Sequence, residues 1–337
     1  MESRRICVFG AGAVGGHLAA KLASAGHDVS VIARGANLEA IRARGLSLRT
    51  KIDGRDRTIA GRVRASDRAA DLGAQDVVFV TTKATALGAL ADAVPALSDA
   101  DTAYVFVQNG IPWWYAQGLS ASRPRPPDLA RLDPGGVLVR ALRAERVIGA
   151  VVYSSNDPIA PGVVENVSPG RNMLVLGEPD DRQSQRVKDL RVLLTAADMY
   201  SPETADIRQS VWNKLVMNFA SSLCVPIGEP IRATIEDPAL RALRDRLFAE
   251  GLAIARAHGV SPEGAVKRPG GQASHATGHK PSMLQDYELG RPMEVEAILV
   301  TPLAFARTAG VDAPALEALT AITARLAAGK KLYSPGA

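Results

Sequence analysis

A glycine-rich turn near the N-terminus restricts the fold of this chain more than any other feature. The segment RICVF reads as a short apolar strand, and an alanine-rich helix pattern follows the turn and ends near Gly26. The turn between them has the spacing G-x-G-x-x-G. Glycine permits a tight turn and lets the backbone approach a pyrophosphate, whose charge then lies at a helix N-terminus. A strand, this turn and a helix in that order predict a dinucleotide site. Its predicted contacts are Gly10, Gly12, Ala13, Val14 and Gly15.

The first half of the chain alternates strand and helix patterns. Three further strands are DVSVIAR, DVVFVTTK and AYVFVQNG, and the last two are apolar enough to be buried on both faces. Later, GVVENV and NMLVLGE predict a hairpin, and residues 181–196 predict a helix. Long helical patterns continue from about Ser201 to the end. We therefore predict an α/β fold, with a Rossmann-type doubly wound domain at 1–201 and an all-α domain at 202–337.

Composition excludes several classes of protein. Of 337 residues, 47% are hydrophobic and 22% charged, which is ordinary for a globular protein of two domains. The net charge of +5 is spread along the chain and aromatic residues are only 4%, so we expect no nucleic-acid partner. No run of 18 apolar residues and no apolar signal segment is present, so we expect no membrane contact and a cytoplasmic location. Cys7 and Cys224 are predicted to be reduced and buried.

Two segments lack a regular pattern. Residues 112–136 are rich in proline and glycine and predict an irregular insertion that could form a flap. Residues 264–281 predict a loop within the second domain. His275 and His279 in that loop have i, i+4 spacing, but no third ligand is evident, and we predict no metal site.

The end of the second strand bears on the choice of dinucleotide. An NAD site usually has Asp or Glu there to hold the ribose hydroxyls, whereas this chain has Arg34. Asp28 lies at the other end of that strand. An arginine without a carboxylate suits a 2′-phosphate and favours NADPH, although a solvated Arg34 is the alternative. Lys83 and Asn109 follow the carboxyl ends of two more strands, where ligands bind in such sheets; either could instead be an ordinary loop residue.

The segment SVWNKLVMNFASSLCVP predicts an amphipathic helix. Trp212, Leu215, Val216, Phe219 and Leu223 form one apolar stripe. Lys214, Asn218 and Ser222 follow at intervals of four and share the opposite face. That face could look at water or at a substrate, and the helix pattern alone favours water.

The segment KPSMLQDYELGRPMEVEAI predicts two helices separated by Gly290 and Pro292. Ser282 and Gln285 have the spacing of a capping box, so Ser282 could simply begin a helix. Glu294 falls in the first turn of the second helix, where a carboxylate could simply complement the helix dipole.

Several motifs occur here in the order found in one enzyme family. They are GAGAVGG, the lysine after the strand DVVFVTT, QNG, WNKLVMN and KPSMLQDYELGRPMEVE, and together they span nearly the whole chain. In these motifs the sequence resembles the ketopantoate reductases (2-dehydropantoate 2-reductases). The resemblance implies reduction of 2-dehydropantoate to pantoate with NADPH, in the pathway to pantothenate and coenzyme A.

The resemblance also implies roles for single residues. Lys214 resembles the family's catalytic lysine, which would donate the proton, and Glu294 the carboxylate of the same site. Asn218 and Ser282 resemble substrate-binding residues. The implied cofactor contacts are Arg34, at the 2′-phosphate, and Lys83 and Asn109.

The sequence departs from the family pattern at two places on the substrate side. Ser222 stands where well-studied members carry a second asparagine, and we predict that it contributes to substrate binding. The segment VEAILVTPLAF lacks the usual Asn-Gly, and Pro302 is predicted to kink its helix. A reductase of another branched 2-keto acid or carbonyl compound therefore remains an alternative. A non-catalytic NADPH-binding sensor is a weaker one, because both Lys214 and Glu294 are present. A homodimer is possible, although sequence does not fix the oligomeric state.

Overall fold

The computed structural model describes residues 3–52, 54–262, 278 and 280–335. Contacts among them define two compact units. The first comprises residues 3–108 and 136–207, and the second comprises residues 109–135, 208–262, 278 and 280–335. This division differs from the domain ranges predicted from sequence, 1–201 and 202–337, chiefly because segment 109–135 packs with the helical unit.

The first unit contains two sheets and the helices that cover them. Its strands are β1 (Arg5–Phe9), β2 (Asp28–Ile32), β3 (Leu46–Ile52), β4 (Arg55–Gly61), β5 (Arg64–Ser66), β6 (Val77–Val80), β7 (Ala103–Phe106), β8 (Val147–Val152), β9 (Asn156–Ala160), β10 (Val163–Asn166) and β11 (Leu174–Gly177). Its helices are α1 (Ala13–Ser24), α2 (Gly35–Arg44), α3 (Gly88–Leu97), α4 (Val137–Ala141) and α5 (Gln185–Ala196).

The main sheet has seven strands in the order β11-β8-β7-β6-β1-β2-β5. Six strands are parallel, and β11 pairs antiparallel with β8 at one edge. Strands β6, β7 and β8 are buried along their whole length, as expected for apolar strands covered on both faces. The predicted α/β fold with a doubly wound sheet is confirmed. Parallel pairing brings the carboxyl ends of β1, β2 and β6 to one edge, which is where such sheets bind ligands.

The predicted hairpin between GVVENV and NMLVLGE is wrong. Strand β10 belongs to a second sheet of order β4-β3-β10-β9, while β11 joins the main sheet. The burial of the two strands explains their separation: β11 is buried throughout, whereas β10 alternates between buried and more exposed residues and packs one face on α1. Two of its other members, β3 and β4, form a charge-rich hairpin that the sequence patterns did not predict.

The second unit is helical in its described part. Its helices are α6 (Ile207–Ser222, of which Ile207 groups with the first unit), α7 (Cys224–Ile227), α8 (Ala233–Glu236), α9 (Pro238–Ala257), α10 (Ser282–Glu288), α11 (Thr301–Thr308) and α12 (Pro314–Gly329), with a π-helical turn at Glu296–Val300. The predicted apolar stripe of α6 is confirmed, since Trp212, Leu215 and Phe219 are fully buried. On α9, Glu250 accepts hydrogen bonds from the N–H groups of Ala315 and Leu316 and so caps α12.

The predicted irregular insertion, 112–136, is anchored through its first residues, 113–117. Trp113, Trp114 and Tyr115 are buried in the second unit. The fully buried Arg208 of α6 donates to the carbonyl oxygens of Tyr115 and Gln117, and its guanidinium lies 5.3 Å from the centre of the Tyr115 ring. A buried arginine therefore binds this irregular segment to α6.

Within the described residues, no helix is long and apolar enough to cross a membrane. Cys7 and Cys224 are unpaired and buried, as predicted. No group of three or more His, Cys, Asp or Glu side chains in the described ranges could hold a metal ion. His275 and His279 lie outside the described residues, as does most of the segment 264–281.

We predict that Arg208→Met destabilises the protein by roughly 2–4 kcal/mol, because it leaves buried carbonyl groups without a donor. Equilibrium urea denaturation measures the difference. Arg232→Met is the matched control, since Arg232 makes an exposed ion pair with Glu236 in the same unit and should change stability by less than about 1 kcal/mol. Equal effects of the two substitutions would show that Arg208 does not anchor the segment.

Candidate active site

The glycine turn has the geometry that a dinucleotide phosphate requires. Gly10 has φ = +109°, a conformation that favours glycine. A Cβ atom at Gly15 would collide with the carbonyl oxygen of Gly10 and the hydroxyl of Thr81, so only glycine lets α1 start this close to β1. Gly12 instead faces open space and, as the N-cap of α1, has no side chain to cap the helix. An anion can therefore reach the first N–H groups of α1.

A pocket of about 470 Å³ adjoins this turn. It is lined by the ends of β1 and β2, by the glycine turn and by five residues that follow β6, namely Thr82, Thr85, Ala86, Gly88 and Ala89. Of the predicted cofactor residues, Gly10, Gly12 and Arg34 line it. Arg34 is exposed and carries the one charge among the described lining residues. Asp28 lies at the opposite end of β2 and pairs with Arg64, 3.3 Å away.

Polar atoms at the same sheet edge remain available for a ligand. Thr82 Oγ1 and Gln108 Oε1 are buried and have no hydrogen-bond partner among the described residues. The amide nitrogen of Gln108 is fixed by the carbonyl oxygens of Val80 and Thr82, at 2.8 and 3.1 Å. Lys83 follows directly and is half-buried. These side chains, the open glycine turn and the pocket together fit a dinucleotide.

Asn37 is a structural contributor that the sequence reasoning missed. Its amide nitrogen donates to the carbonyl oxygen of Ala11 at 2.7 Å, and its amide oxygen accepts from the N–H of Gly162 at 2.8 Å. It thereby ties the glycine turn to the β9–β10 turn. No sequence pattern pointed to it, because Gly162 is 125 residues away.

The polar face of α6 carries the candidate proton donor. Lys214 is half-buried, and Trp212, two residues before it, and Leu215, directly after it, are fully buried. Burial lowers the pKa of Lys214 to about 8, while attraction by the Glu294 carboxylate partly opposes that shift. The ammonium form is therefore present at neutral pH and gives up its proton more readily than an exposed lysine does.

The next two turns of the same face differ from each other. Asn218 is half-buried, and its side chain follows Lys214 by one turn. Ser222 is buried, and its hydroxyl donates to the carbonyl oxygen of Asn218 at 2.7 Å. That bond uses the hydroxyl proton within the helix. The geometry thus gives Ser222 a structural contact, and its predicted part in substrate binding stays a prediction without support from the structure.

Ser282 is the first residue of α10 and is exposed. The N-cap position belongs to Pro281, and no side chain caps this helix. The Gln285 side chain donates to the carbonyl oxygen of Lys280 instead of completing a capping box. The Ser282 hydroxyl is consequently not committed to the capping bond that its spacing suggested.

Glu294 is buried and lies two residues before the π-helical turn. The sequence had predicted it in the first turn of a helix. Its carbonyl oxygen accepts from the N–H of Ile298 at 3.1 Å. Pro302, which has no N–H, stands in the first turn of α11. The predicted irregularity is therefore a widening of the helix before Pro302, consistent with the missing donor.

The loop that carries Asn109 packs on this π-helical turn. The N–H of Ile111 donates to the carbonyl oxygen of Ala297 at 2.8 Å. Gly110 has φ = +79°, and a Cβ atom there would collide with the same carbonyl group. Asn109 Oδ1 is buried and has no partner among the described residues. Asn109, Lys214, Asn218, Ser282 and Glu294 thus belong to the second unit, while Arg34 and Lys83 belong to the first.

Comparison with known proteins gives one consistent result. Residues 6–113 match the family model "Ketopantoate reductase PanE/ApbA", and residues 206–327 match "Ketopantoate reductase PanE/ApbA C terminal". A 2-dehydropantoate 2-reductase of Mesorhizobium japonicum is 39% identical, with 98% of this chain and all of that protein covered.

Solved structures agree with the sequence relatives. A protein of Ralstonia solanacearum that is described as a ketopantoate reductase superposes on this chain with a TM-score of 0.83 at 32% identity. The match covers 98% of this chain and all of that one. For the 2-dehydropantoate 2-reductase of Geobacter metallireducens the TM-score is 0.78 at 27% identity, over 95% and 99% of the two chains. The chain therefore belongs to the ketopantoate reductase family and is an oxidoreductase of the 2-dehydropantoate 2-reductase type.

Proposed function

We propose that this enzyme reduces the ketone of 2-dehydropantoate to the alcohol of pantoate, with NADPH as the reductant, in the biosynthesis of pantothenate and coenzyme A. The observation that carries the proposal is the pairing of Lys214 with Glu294 in a member of this family. Burial leaves Lys214 an ammonium with a pKa of about 8, and the buried Glu294 is the carboxylate that acts on it. That arrangement suits protonation of a developing alkoxide.

The first unit would hold the cofactor. When bound, a nicotinamide dinucleotide supplies the hydride that reduces the carbonyl carbon. The open glycine turn receives the pyrophosphate, and Thr82 and Gln108 offer buried acceptor atoms at the same sheet edge. Arg34, in a pocket lining whose described residues include no carboxylate, favours the 2′-phosphate of NADPH over the free ribose of NADH. Lys83 and Asn109 remain proposed cofactor contacts.

The second unit would hold the substrate and supply the proton. The Lys214 ammonium donates a hydrogen bond to the ketone oxygen and then transfers its proton to the alkoxide. Asn218, one turn further along α6, and Ser282, at the start of α10, are the proposed substrate-binding side chains. Glu294 has two roles in the proposal: it holds the substrate hydroxyl, and it keeps Lys214 protonated at neutral pH.

A second function on the same fold is the reduction of another branched 2-keto acid. It is favoured by Ser222, whose hydroxyl is used within α6, and by the π-helical turn after Glu294, since both lie on the substrate side. NADPH oxidation with a panel of 2-keto acids separates the two. A kcat/KM that is higher for another member of the panel than for 2-dehydropantoate would establish the alternative. The homodimer stays a prediction, which sedimentation velocity can test.

We predict tighter binding of NADPH than of NADH, and a selective loss for NADPH in Arg34→Ala. Loss of a charge-assisted contact to phosphate should raise the Kd of NADPH roughly 10- to 100-fold and leave that of NADH almost unchanged. Fluorescence titration with both cofactors gives the four constants. Arg44→Ala is the control, because Arg44 is an exposed arginine at the far end of α2, the helix that Arg34 precedes, and does not line the pocket. Equal affinities for both cofactors in the native enzyme would rule out the Arg34 assignment.

We predict that Lys214→Ala lowers kcat by about 10²–10⁴, the usual scale for a positioned acid or base. The Kd of NADPH should change little, because the glycine turn belongs to the first unit and Lys214 to the second. Steady-state kinetics with saturating NADPH and 2-dehydropantoate measures the effect. Lys280→Ala, which removes an exposed lysine of the same unit, is the control. Near-native kcat in Lys214→Ala would refute the role of Lys214 as proton donor.

We predict that kcat falls as pH rises through about 8, because only protonated Lys214 can donate a proton. Glu294→Gln removes the attraction that raises the pKa of Lys214, so the alkaline limb should move to lower pH. A pH series of kcat for both enzymes, with Glu288→Gln as a surface control, tests the sign. A limb that stays in place in Glu294→Gln, or moves to higher pH, would contradict the pairing.

A further inference from the structure

The turn that presents Glu294 is connected to the C-terminal end of the chain. The N–H of Met293 donates to the carbonyl oxygen of Leu332 at 2.9 Å. Leu332 lies three residues after α12 and is buried. The residue immediately before Glu294 is therefore held by a segment that none of the family motifs includes.

Glu296, two residues after Glu294, is held by two side chains. The hydroxyl of Tyr333 donates to Glu296 Oε2 at 2.7 Å, and Arg131 Nη2 lies 2.7 Å from the same oxygen. Arg131 also donates to the Tyr333 hydroxyl oxygen at 3.1 Å, so that Arg131, Glu296 and Tyr333 form a cluster in which each contacts the other two. The Glu296 side chain is 16% exposed, so these bonds are partly shielded from water. Burial, together with the Glu296 carboxylate, raises the pKa of Tyr333, which keeps its hydroxyl a donor.

The π-helical turn has irregular hydrogen bonding and contacts residues outside itself. Residues 296–300 have π-helical geometry, which is less favourable than an α-helix, and Pro302 offers no N–H to the preceding turn. On one side, Ile111 bonds to Ala297. The cluster of Arg131, Glu296 and Tyr333 supplies support from the insertion and the C-terminal segment. Glu294 lies in the sequence between Met293, which bonds to Leu332, and these contacts.

We propose that Arg131, Glu296 and Tyr333 are positioning residues that hold the Glu294 turn in its substrate-binding conformation. The proposal rests on the proposed function, since it assigns the cluster to the same site. It also gives Glu296 a definite role. Glu296 is held by Arg131 and Tyr333, and Glu294 is the carboxylate that acts on Lys214.

The test uses Tyr333→Phe and Arg131→Met in the full-length enzyme. Each removes contacts to Glu296 and leaves Lys214 and Glu294 in place. Hydrogen exchange of the amides in residues 293–300 should become roughly fivefold faster, because these contacts limit local opening. The KM for 2-dehydropantoate should rise about threefold to tenfold, with kcat changed less than about twofold. In the double variant, the rise in KM and the increase in exchange rate should each be smaller than the product of the two single-variant effects, because both substitutions act through Glu296.

Two controls separate positioning from general destabilisation. Tyr287→Phe removes another tyrosine hydroxyl of this unit. The ring of Tyr287 lies beside Lys330 and not beside Glu296. Arg325→Met removes an exposed arginine of α12. Neither should change exchange at 293–300 or KM. Unchanged exchange in Tyr333→Phe and Arg131→Met, or faster exchange without a rise in KM, would overturn the proposal. A native enzyme inactive on 2-dehydropantoate would overturn the proposed function, and exchange at 293–300 alone would then decide whether the cluster braces the turn.

Discussion

The central interaction of the second unit is the attraction between Lys214, which is partly withdrawn from water, and the Glu294 carboxylate. The apolar stripe of α6 is buried, which fixes the side of the helix on which Lys214 lies. Burial disfavours the ammonium, and Glu294 offsets part of that cost. The balance leaves a pKa near neutrality, which suits a group that must arrive protonated and then give its proton away. The proposed chemistry thus depends on this pair of charges.

The turn that carries Glu294 is contacted by segments far away in sequence. Arg208 binds the irregular segment 109–135 to α6, and that segment contributes Ile111 and Arg131 to the turn after Glu294. Gly110 permits the close approach, because any side chain there would meet the Ala297 carbonyl group. The glycine turn of the first unit is also held by one side chain, because Asn37 hydrogen-bonds to both Ala11 and Gly162. In both units, irregular backbone near the proposed ligands is held by single side chains from distant segments.

Sequence predicted the elements whose signal is local. The strand–turn–helix at Gly10, the fully apolar strands and the stripe on α6 each follow from spacing alone. It failed where pairing depends on distant residues: β10 pairs with β3, and β11 with β8, contrary to the predicted hairpin. It also did not reveal that Ser222 bonds within its own helix or that Pro281 takes the N-cap before Ser282. Asn37 and the cluster around Glu296 carry no local pattern, because their partners lie in other parts of the chain.

The titration of Lys214 itself is the most direct measurement of the central claim. NMR of enzyme with isotope-labelled lysine side chains, assigned through the signal missing in Lys214→Ala, gives the pKa of this group without any substrate. We predict a midpoint near 8, because burial outweighs the attraction of Glu294. A midpoint near 10.5, the value of an exposed lysine, would contradict the claim that α6 holds Lys214 as a poised proton donor.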